Sequence, residues 1–197
     1  MSGSVRCFVA IELPAGLREG IAAFFARAGR EIAGVRWAGG SRLHLTLKFL
    51  GELAADRLSE IRVAVEAAVA GHDSFALVLR GAGAFPSVRR PRVVWVGTGT
   101  GTAEASGLAA SLEVALAPLG FAPEPRPFTP HLTVGRLGAP PPDRTALPRL
   151  IDSVRDRVWG ETLVPAVHLV RSELFPAGPI YSTLAAIRLP EGVRQGR

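Results

Sequence analysis

The chain has 197 residues, of which 48% are hydrophobic and 20% charged, so it is long enough for one domain or two small lobes and is neither disordered nor fibrous. Its apolar runs are far shorter than the ~18 residues of a membrane span, and it carries no signal-peptide pattern. The single cysteine, Cys7, excludes an internal disulfide and a multi-thiolate metal site. We therefore expect a cytoplasmic protein. The net charge of +6 permits an anionic partner but does not require one, because the basic residues are dispersed.

Hydrophobic periodicity predicts strands that alternate with helices along the chain. In chain order we expect a strand at 5–11, a helix at 15–29, a strand at 43–49, a helix at about 54–70, strands at 75–80 and 92–96, a helix at about 103–119, a strand at 131–136, a helix at about 147–158, and strands at 163–171 and 181–189. Proline-rich segments at 123–130 and 138–148 are connectors, and 191–197 is predicted to be a loose tail.

The first half of the sequence resembles the second half at an offset of 87 residues. At this offset His44 aligns with His131 and Thr46 with Thr133, while Phe8 aligns with Trp95. We therefore predict an α+β fold of two lobes related by a pseudo-twofold axis, each an antiparallel sheet with outer helices, with the active cleft between them. Both lobes would form one duplicated domain over residues 1–190.

Each half carries an imidazole and a hydroxyl on one face of a predicted strand. Alternate strand residues share a face, so the leucines of the first motif should enter the core while His44, Thr46 and Lys48 project to the other side. His131 and Thr133 repeat this arrangement. Two histidines and two threonines facing each other suit a phosphodiester, because one imidazole can take a proton, the other can give one, and the hydroxyls can bind the non-bridging oxygens.

The sequence resembles the two-histidine phosphoesterase superfamily, and within it the RNA 2′,3′-cyclic phosphodiesterases once named 2′-5′ RNA ligases. The resemblance lies in a His-Leu-Thr-Leu tetrad at 44–47 and a His-Leu-Thr-Val tetrad at 131–134. It extends to the segments around them, at 5–10, 36–37, 48–52, 83–86, 89–93, 126–130 and 172–181. It thus covers most of the chain and implies the same two-lobed fold.

The resemblance implies a metal-independent hydrolase that opens a terminal 2′,3′-cyclic phosphate on RNA to a 2′-phosphate, with weak 2′-5′ ligation as the reverse reaction. It suggests His44 as the proton donor and His131 as the proton acceptor, although pseudo-symmetry leaves the two roles hard to separate from sequence. Two alternatives stay open: a phosphoesterase for small cyclic nucleotides or 2′-5′ oligonucleotides, and a non-catalytic RNA-binding module. We expect a monomer that acts on RNA or oligonucleotide ends and has no membrane partner.

Further candidates complete the predicted site. The family carries an arginine near the phosphate, here Arg136, which strict alternation would place on the wrong face unless the strand bulges at Gly135. Trp37 and Phe85 are candidates for base stacking and Arg89 and Arg90 for backbone contacts, with core or exposed-turn roles as the alternatives. No cofactor is predicted, because the glycine-rich segment 97–101 lacks a dinucleotide-binding frame and the histidines lack metal-site spacing.

Overall fold

The strands and helices of the chain alternate as its periodicity predicts, which confirms the α+β class. The computed structural model describes residues 3–30, 32–138, 145–176 and 178–191. Within these ranges the elements are β1 Ser4–Ile11, α1 Ala15–Ala28, β2 Val35–Trp37, β3 Leu45–Ala54, α2 Leu58–Val69, β4 Phe75–Phe85, β5 Val93–Thr98, α3 Thr102–Leu116, β6 Leu132–Leu137, α4 Ala146–Ser153, β7 Val158–Val164, β8 Ala166–Phe175 and β9 Gly178–Arg188. The predicted tail beyond Glu191 and the centre of the connector at 138–148 lie outside the described residues.

The strands form one antiparallel sheet that divides into two similar halves. The strand order is β7-β4-β5-β6-β3-β1-β8-β9, and β2 pairs with the outer end of β6. The halves meet at β3 and β6, which are joined by a single residue pair, Leu45 with Leu132. This short junction leaves room for a cleft where the two halves meet.

Each half of the sheet has two helices packed on its outer face. Helix α2 packs against α3 and β9, and α3 also packs against β3, whereas α1 packs against β2 and β7, and α4 against β4. Counted outward from the junction, β3, β1, β8 and β9 correspond to β6, β5, β4 and β7. The two halves thus have the same strand order outward from the junction, and both the internal duplication and the assignment of residues 1–190 to one domain stay predictions.

Several predicted boundaries are wrong, and the cause is tertiary pairing. The fourth helix ends at Ser153, and Val158 opens strand β7, which pairs with β4. The predicted strand at 163–171 is two strands that change over at Pro165. Strand β3 continues to Ala54, so α2 begins only at Leu58. None of the helices in the described parts of the chain is long and apolar enough to cross a membrane.

Candidate active site

The two histidine–threonine motifs lie at the junction of the two half-sheets. β3 begins at Leu45 and β6 at Leu132, so each histidine stands immediately before its strand, whereas the sequence predicted it inside the strand. Leu45 and Leu132 pair with each other and are both fully buried. Continuing this antiparallel register by one residue on either side brings His44 opposite Thr133 and His131 opposite Thr46. Each imidazole is thus set beside the hydroxyl of the other motif.

All four side chains project away from the main core. The core side of the junction is filled by Leu43 and Val134, each 1% exposed, together with the paired leucines. On the other side, Thr46 lies beside Ala10 of β1 and Thr133 beside Trp95 of β5. We call the side that carries the histidines, the threonines and Trp95 the cleft face.

His44 is enclosed by aromatic rings of its own lobe. Its ring stacks on Phe8 with 4.6 Å between the centroids and an interplanar angle of 23°. Tyr181 meets it edge-on at 5.0 Å. A backbone hydrogen bond at Arg42 orients the imidazole, and the Glu12 carboxylate lies close enough to favour its protonated form. The ring is therefore held in one orientation before a substrate arrives.

His131 has a matching environment in the other lobe. Phe85 contacts its ring edge-on at 5.0 Å and Trp95 lies at 6.4 Å. Nδ1 of His131 is 2.7 Å from the Thr129 carbonyl oxygen. A carbonyl can only accept, so Nδ1 carries the proton, and Nε2 of the neutral ring presents a lone pair.

Burial favours the neutral form of both imidazoles in the absence of a ligand. Desolvation lowers the pKa of His44 from its usual 6.5 to about 4, and it lowers the pKa of His131 as well. The Arg136 guanidinium lowers both pKa values further, whereas the hydrogen-bonded carbonyls oppose the shift. An anionic ligand in the cleft would reverse much of this effect, because it stabilises the imidazolium form.

Two β-bulges at equivalent positions decide which later residues reach the cleft face. In the pair of β3 with β1, strand β3 has an extra residue between Thr46 and Lys48. In the pair of β6 with β5, strand β6 has an extra residue between Thr133 and Gly135. The extra residue in each strand returns the next side chain to the core side. This is why Arg136 pairs with Val93 on the cleft face, as a bulge near Gly135 predicts.

The same kind of bulge makes the prediction for Lys48 wrong. Lys48 does not project with His44 but lies opposite Val9 on the core side, where it is 2% exposed. Its Nζ donates to Glu113 Oε2 and to the Ala122 carbonyl oxygen, both at 2.7 Å. Lys48 therefore ties β3 to α3 and to the segment that leads toward the second motif.

The other predicted contact residues are divided between the two faces. Phe85 lies on the cleft face beside His131. Trp37 does not: it stacks on Phe25 of α1, and its Nε1 is 3.4 Å from the Gly29 carbonyl oxygen, so it belongs to the core side. Arg89 and Arg90 are exposed in the turn between β4 and β5.

Three aromatic residues around the histidines, Phe8, Trp95 and Tyr181, were not predicted as part of the site. Phe8 and Trp95 align at the offset of 87 and alternate with buried core residues, so the sequence held a signal for them. Tyr181 reaches His44 only because the β8–β9 hairpin curls across the sheet, and Gly178 at its turn approaches Arg42. No local pattern encodes that contact.

The remaining histidines lie apart from the motifs. His72 is hydrogen-bonded to Ser111 Oγ of α3 at 2.8 Å, and His168 lies on β8 opposite Ala10 with no partner for its Nδ1 among the described residues. Across the described ranges, no three His, Cys, Asp or Glu side chains are grouped so that they could hold a metal ion.

Comparisons with known proteins agree with this geometry. The sequence model of the 2′-5′ RNA ligase superfamily matches residues 13–174. A protein of Methanothermobacter thermautotrophicus named RNA 2′,3′-cyclic phosphodiesterase is 38% identical over 185 residues, which cover 94% of this chain and 99% of that protein. A protein of the same name from Aeropyrum pernix is 37% identical over 153 residues, covering 74% of this chain and 81% of that protein.

Solved structures give the same result. A crystal structure of E. coli LigT with 3′-AMP superimposes with a TM-score of 0.75 at 30% identity, covering 95% of this chain and 99% of that one. The crystal structure of a Thermus thermophilus protein, TT0787, gives a TM-score of 0.74 at 31% identity, covering 94% of this chain and 98% of that one. The family match, the relatives and the fold confirm the resemblance seen in the sequence, and the chain belongs to the 2′-5′ RNA ligase superfamily.

Proposed function

We propose that this chain is an RNA 2′,3′-cyclic phosphodiesterase, which hydrolyses the cyclic phosphate at an RNA end to a 2′-phosphate without a metal ion. The observation that carries the proposal is the pairing of Leu45 with Leu132 at the β3–β6 junction, because alternation then directs the imidazoles and hydroxyls on either side of this pair to one face. Relatives that match nearly the whole chain bear the same name, which supports the same activity here.

The reaction needs one proton taken and one proton given. Water attacks phosphorus opposite the 3′ oxygen, the new P–O bond forms as the P–O3′ bond breaks, and the phosphate stays on the 2′ oxygen. His131 accepts the proton of the attacking water through Nε2, and His44 donates a proton to the departing O3′. After turnover each imidazole has the protonation state of the other, and exchange with solvent restores both.

The electrostatic environment supports this division of roles. His131 has its Nδ1 hydrogen bound to the Thr129 carbonyl oxygen, so its Nε2 is available as a base. Burial has the largest effect on the pKa of His44 and lowers it to about 4, whereas the Glu12 carboxylate opposes this shift and favours the protonated form that an acid needs. The anionic phosphate raises the pKa of both imidazoles when it binds, so His44 gains its proton in the complex rather than in the free protein.

The other cleft residues bind the charge that develops on phosphorus. Thr46 and Thr133 donate hydrogen bonds to the two non-bridging oxygens. The Arg136 guanidinium, whose charge already acts on both histidines, neutralises the phosphate. Hydrolysis is favoured over ligation because water is present in large excess over any RNA 5′-hydroxyl.

A direct assay separates the proposal from its alternatives. The protein is incubated in excess EDTA with an oligoribonucleotide that ends in a 2′,3′-cyclic phosphate, with a free 2′,3′-cyclic mononucleotide and with a 2′-5′-linked oligonucleotide. We expect turnover of the first substrate to a 2′-phosphate end, undiminished by EDTA. Turnover of the 2′-5′ linkage alone, binding without turnover, or loss of activity that a divalent ion restores would each contradict the proposal.

A further inference from the structure

We propose that Arg36, which lies beside Arg136, forms a second phosphate site that holds the phosphodiester next to the reacting one and makes the chain prefer oligonucleotide ends over cyclic mononucleotides. The inference rests on the proposed function for its substrate class. It starts from strand β2, whose pairing places a second arginine directly beside the one that serves the catalytic phosphate.

The two arginines are cross-strand neighbours. In the β2–β6 pair, Arg36 lies opposite Arg136 and Trp37 opposite Gly135. Adjacent strands are ~4.8 Å apart, so two extended side chains from these positions can reach the same anion or two successive ones. Both residues are exposed.

Both side chains lie on the cleft face. A Cβ built on Gly135 would meet Trp37 and Val35, which shows that these three positions share the core side. Alternation then sends Arg36 to the opposite side, together with Arg136, which the bulge in β6 has already returned to the cleft face. Arg136 lies three positions after Thr133, and Arg36 lies beside it on the edge of β6 that also pairs with β3.

The charges of this pair are not balanced by protein groups. In the described part of the chain, neither guanidinium forms an ion pair with a carboxylate, a state they share with most of the described arginines. Like charges directly opposite each other in a sheet are destabilising. A ligand with a second negative charge beside the reacting phosphate would relieve the repulsion between these two arginines.

A nucleic-acid strand is such a ligand, because each of its phosphodiesters carries a negative charge. Arg136 acts on both catalytic histidines, so it belongs to the reacting phosphate. Arg36 and Val93 flank Arg136 on opposite edges of β6, and the turn that carries Arg89 and Arg90 extends the positive surface on the Val93 side. A cyclic mononucleotide has a single phosphate and gains nothing from Arg36, whereas an oligonucleotide places its next phosphate there.

The test compares Arg36→Gln with the wild-type protein at several salt concentrations. The first readout is equilibrium binding of a short oligoribonucleotide with a 2′-phosphate end, for which log K falls with log salt by about 0.7 per phosphate contact on a single strand. We expect Arg36→Gln to reduce this slope by about 0.7 and Arg36→Lys to retain it. Arg62→Gln, which removes an equal charge from an exposed position of α2, is the matched control and should leave the slope unchanged.

The second readout is kcat/KM on two substrates. We expect Arg36→Gln to lower kcat/KM by roughly 2- to 5-fold for an oligonucleotide with a cyclic-phosphate end, and to leave hydrolysis of a 2′,3′-cyclic mononucleotide unchanged. An unchanged salt slope, or an equal loss on both substrates, would overturn the second site while leaving the proposed function intact. If the wild-type protein turned over neither substrate, the proposed function would fail, and the binding slope would still decide whether Arg36 contacts a phosphate.

Discussion

Protonation of His44 should cost the folded protein a measurable part of its stability. Burial lowers the pKa of this imidazole from 6.5 to about 4, so the unfolded chain takes up a proton that the folded chain resists. The stability contribution is fully present above pH 6.5 and is lost as the pH falls toward 4. From about pH 7 to pH 4.5, proton binding at His44 should lower the free energy of unfolding by roughly 2 kcal/mol. This value follows from the pKa of 6.5 in the unfolded chain and of about 4 in the folded protein.

The assay is urea unfolding of the wild-type protein and of His44→Gln at these two pH values. Each protein is compared with itself, so any difference in stability between the two at neutral pH cancels. We expect the free energy of unfolding to drop by roughly 2 kcal/mol more in the wild type than in His44→Gln. An equal drop in both proteins would refute the enclosed, neutral state of His44 that the stacking on Phe8 implies.

Three further predictions follow from the site. First, kcat/KM should be bell-shaped in pH with its optimum below pH 6.5, because the pKa values of both histidines are lowered in the free protein. The kcat profile should lie at higher pH, because bound phosphate raises both pKa values. An alkaline optimum of kcat/KM would contradict this prediction. Second, Thr46→Val or Thr133→Val should lower kcat by up to roughly 100-fold and less than loss of a histidine, since both proton paths survive; steady-state kinetics on a cyclic-phosphate end measures this. Third, Lys48→Met should lower the free energy of unfolding, measured in urea, by about 3 kcal/mol, because Glu113 loses its buried cationic partner. Adding Glu113→Leu to this variant should recover most of the loss. An unchanged free energy of unfolding in Lys48→Met would contradict this prediction.

The sequence predicted the centre of the site better than its edges. Both motifs place a histidine and a threonine around a buried hydrophobic residue, and this local pattern is enough to find the cleft face once the two halves are aligned. The bulge that redirects Arg136 could be inferred only because an arginine was expected at the phosphate. No functional residue was expected after the equivalent bulge in β3, so simple alternation predicted the wrong face for Lys48.

The elements that the sequence missed depend on distant partners. Strand β2 is three residues long and exists because β6 offers it an edge, so no periodicity could reveal it or the pairing of Arg36 with Arg136. The stretch from Val158 to Val164 became a strand because β4 had a free side. Tyr181 reached His44 through the curl of a long hairpin. In each case a contact between residues far apart in the chain overrode or completed the local preference.

The most direct test of the account is the kcat of His44→Ala, His131→Ala and the double variant on an oligoribonucleotide with a 2′,3′-cyclic phosphate end, with identification of the product terminus. We expect wild-type protein to yield a 2′-phosphate and each single variant to lose roughly 10²- to 10⁴-fold in kcat. The double variant should be far less impaired than the product of the two single losses. Near-wild-type turnover by either single variant would contradict paired proton transfer by His44 and His131.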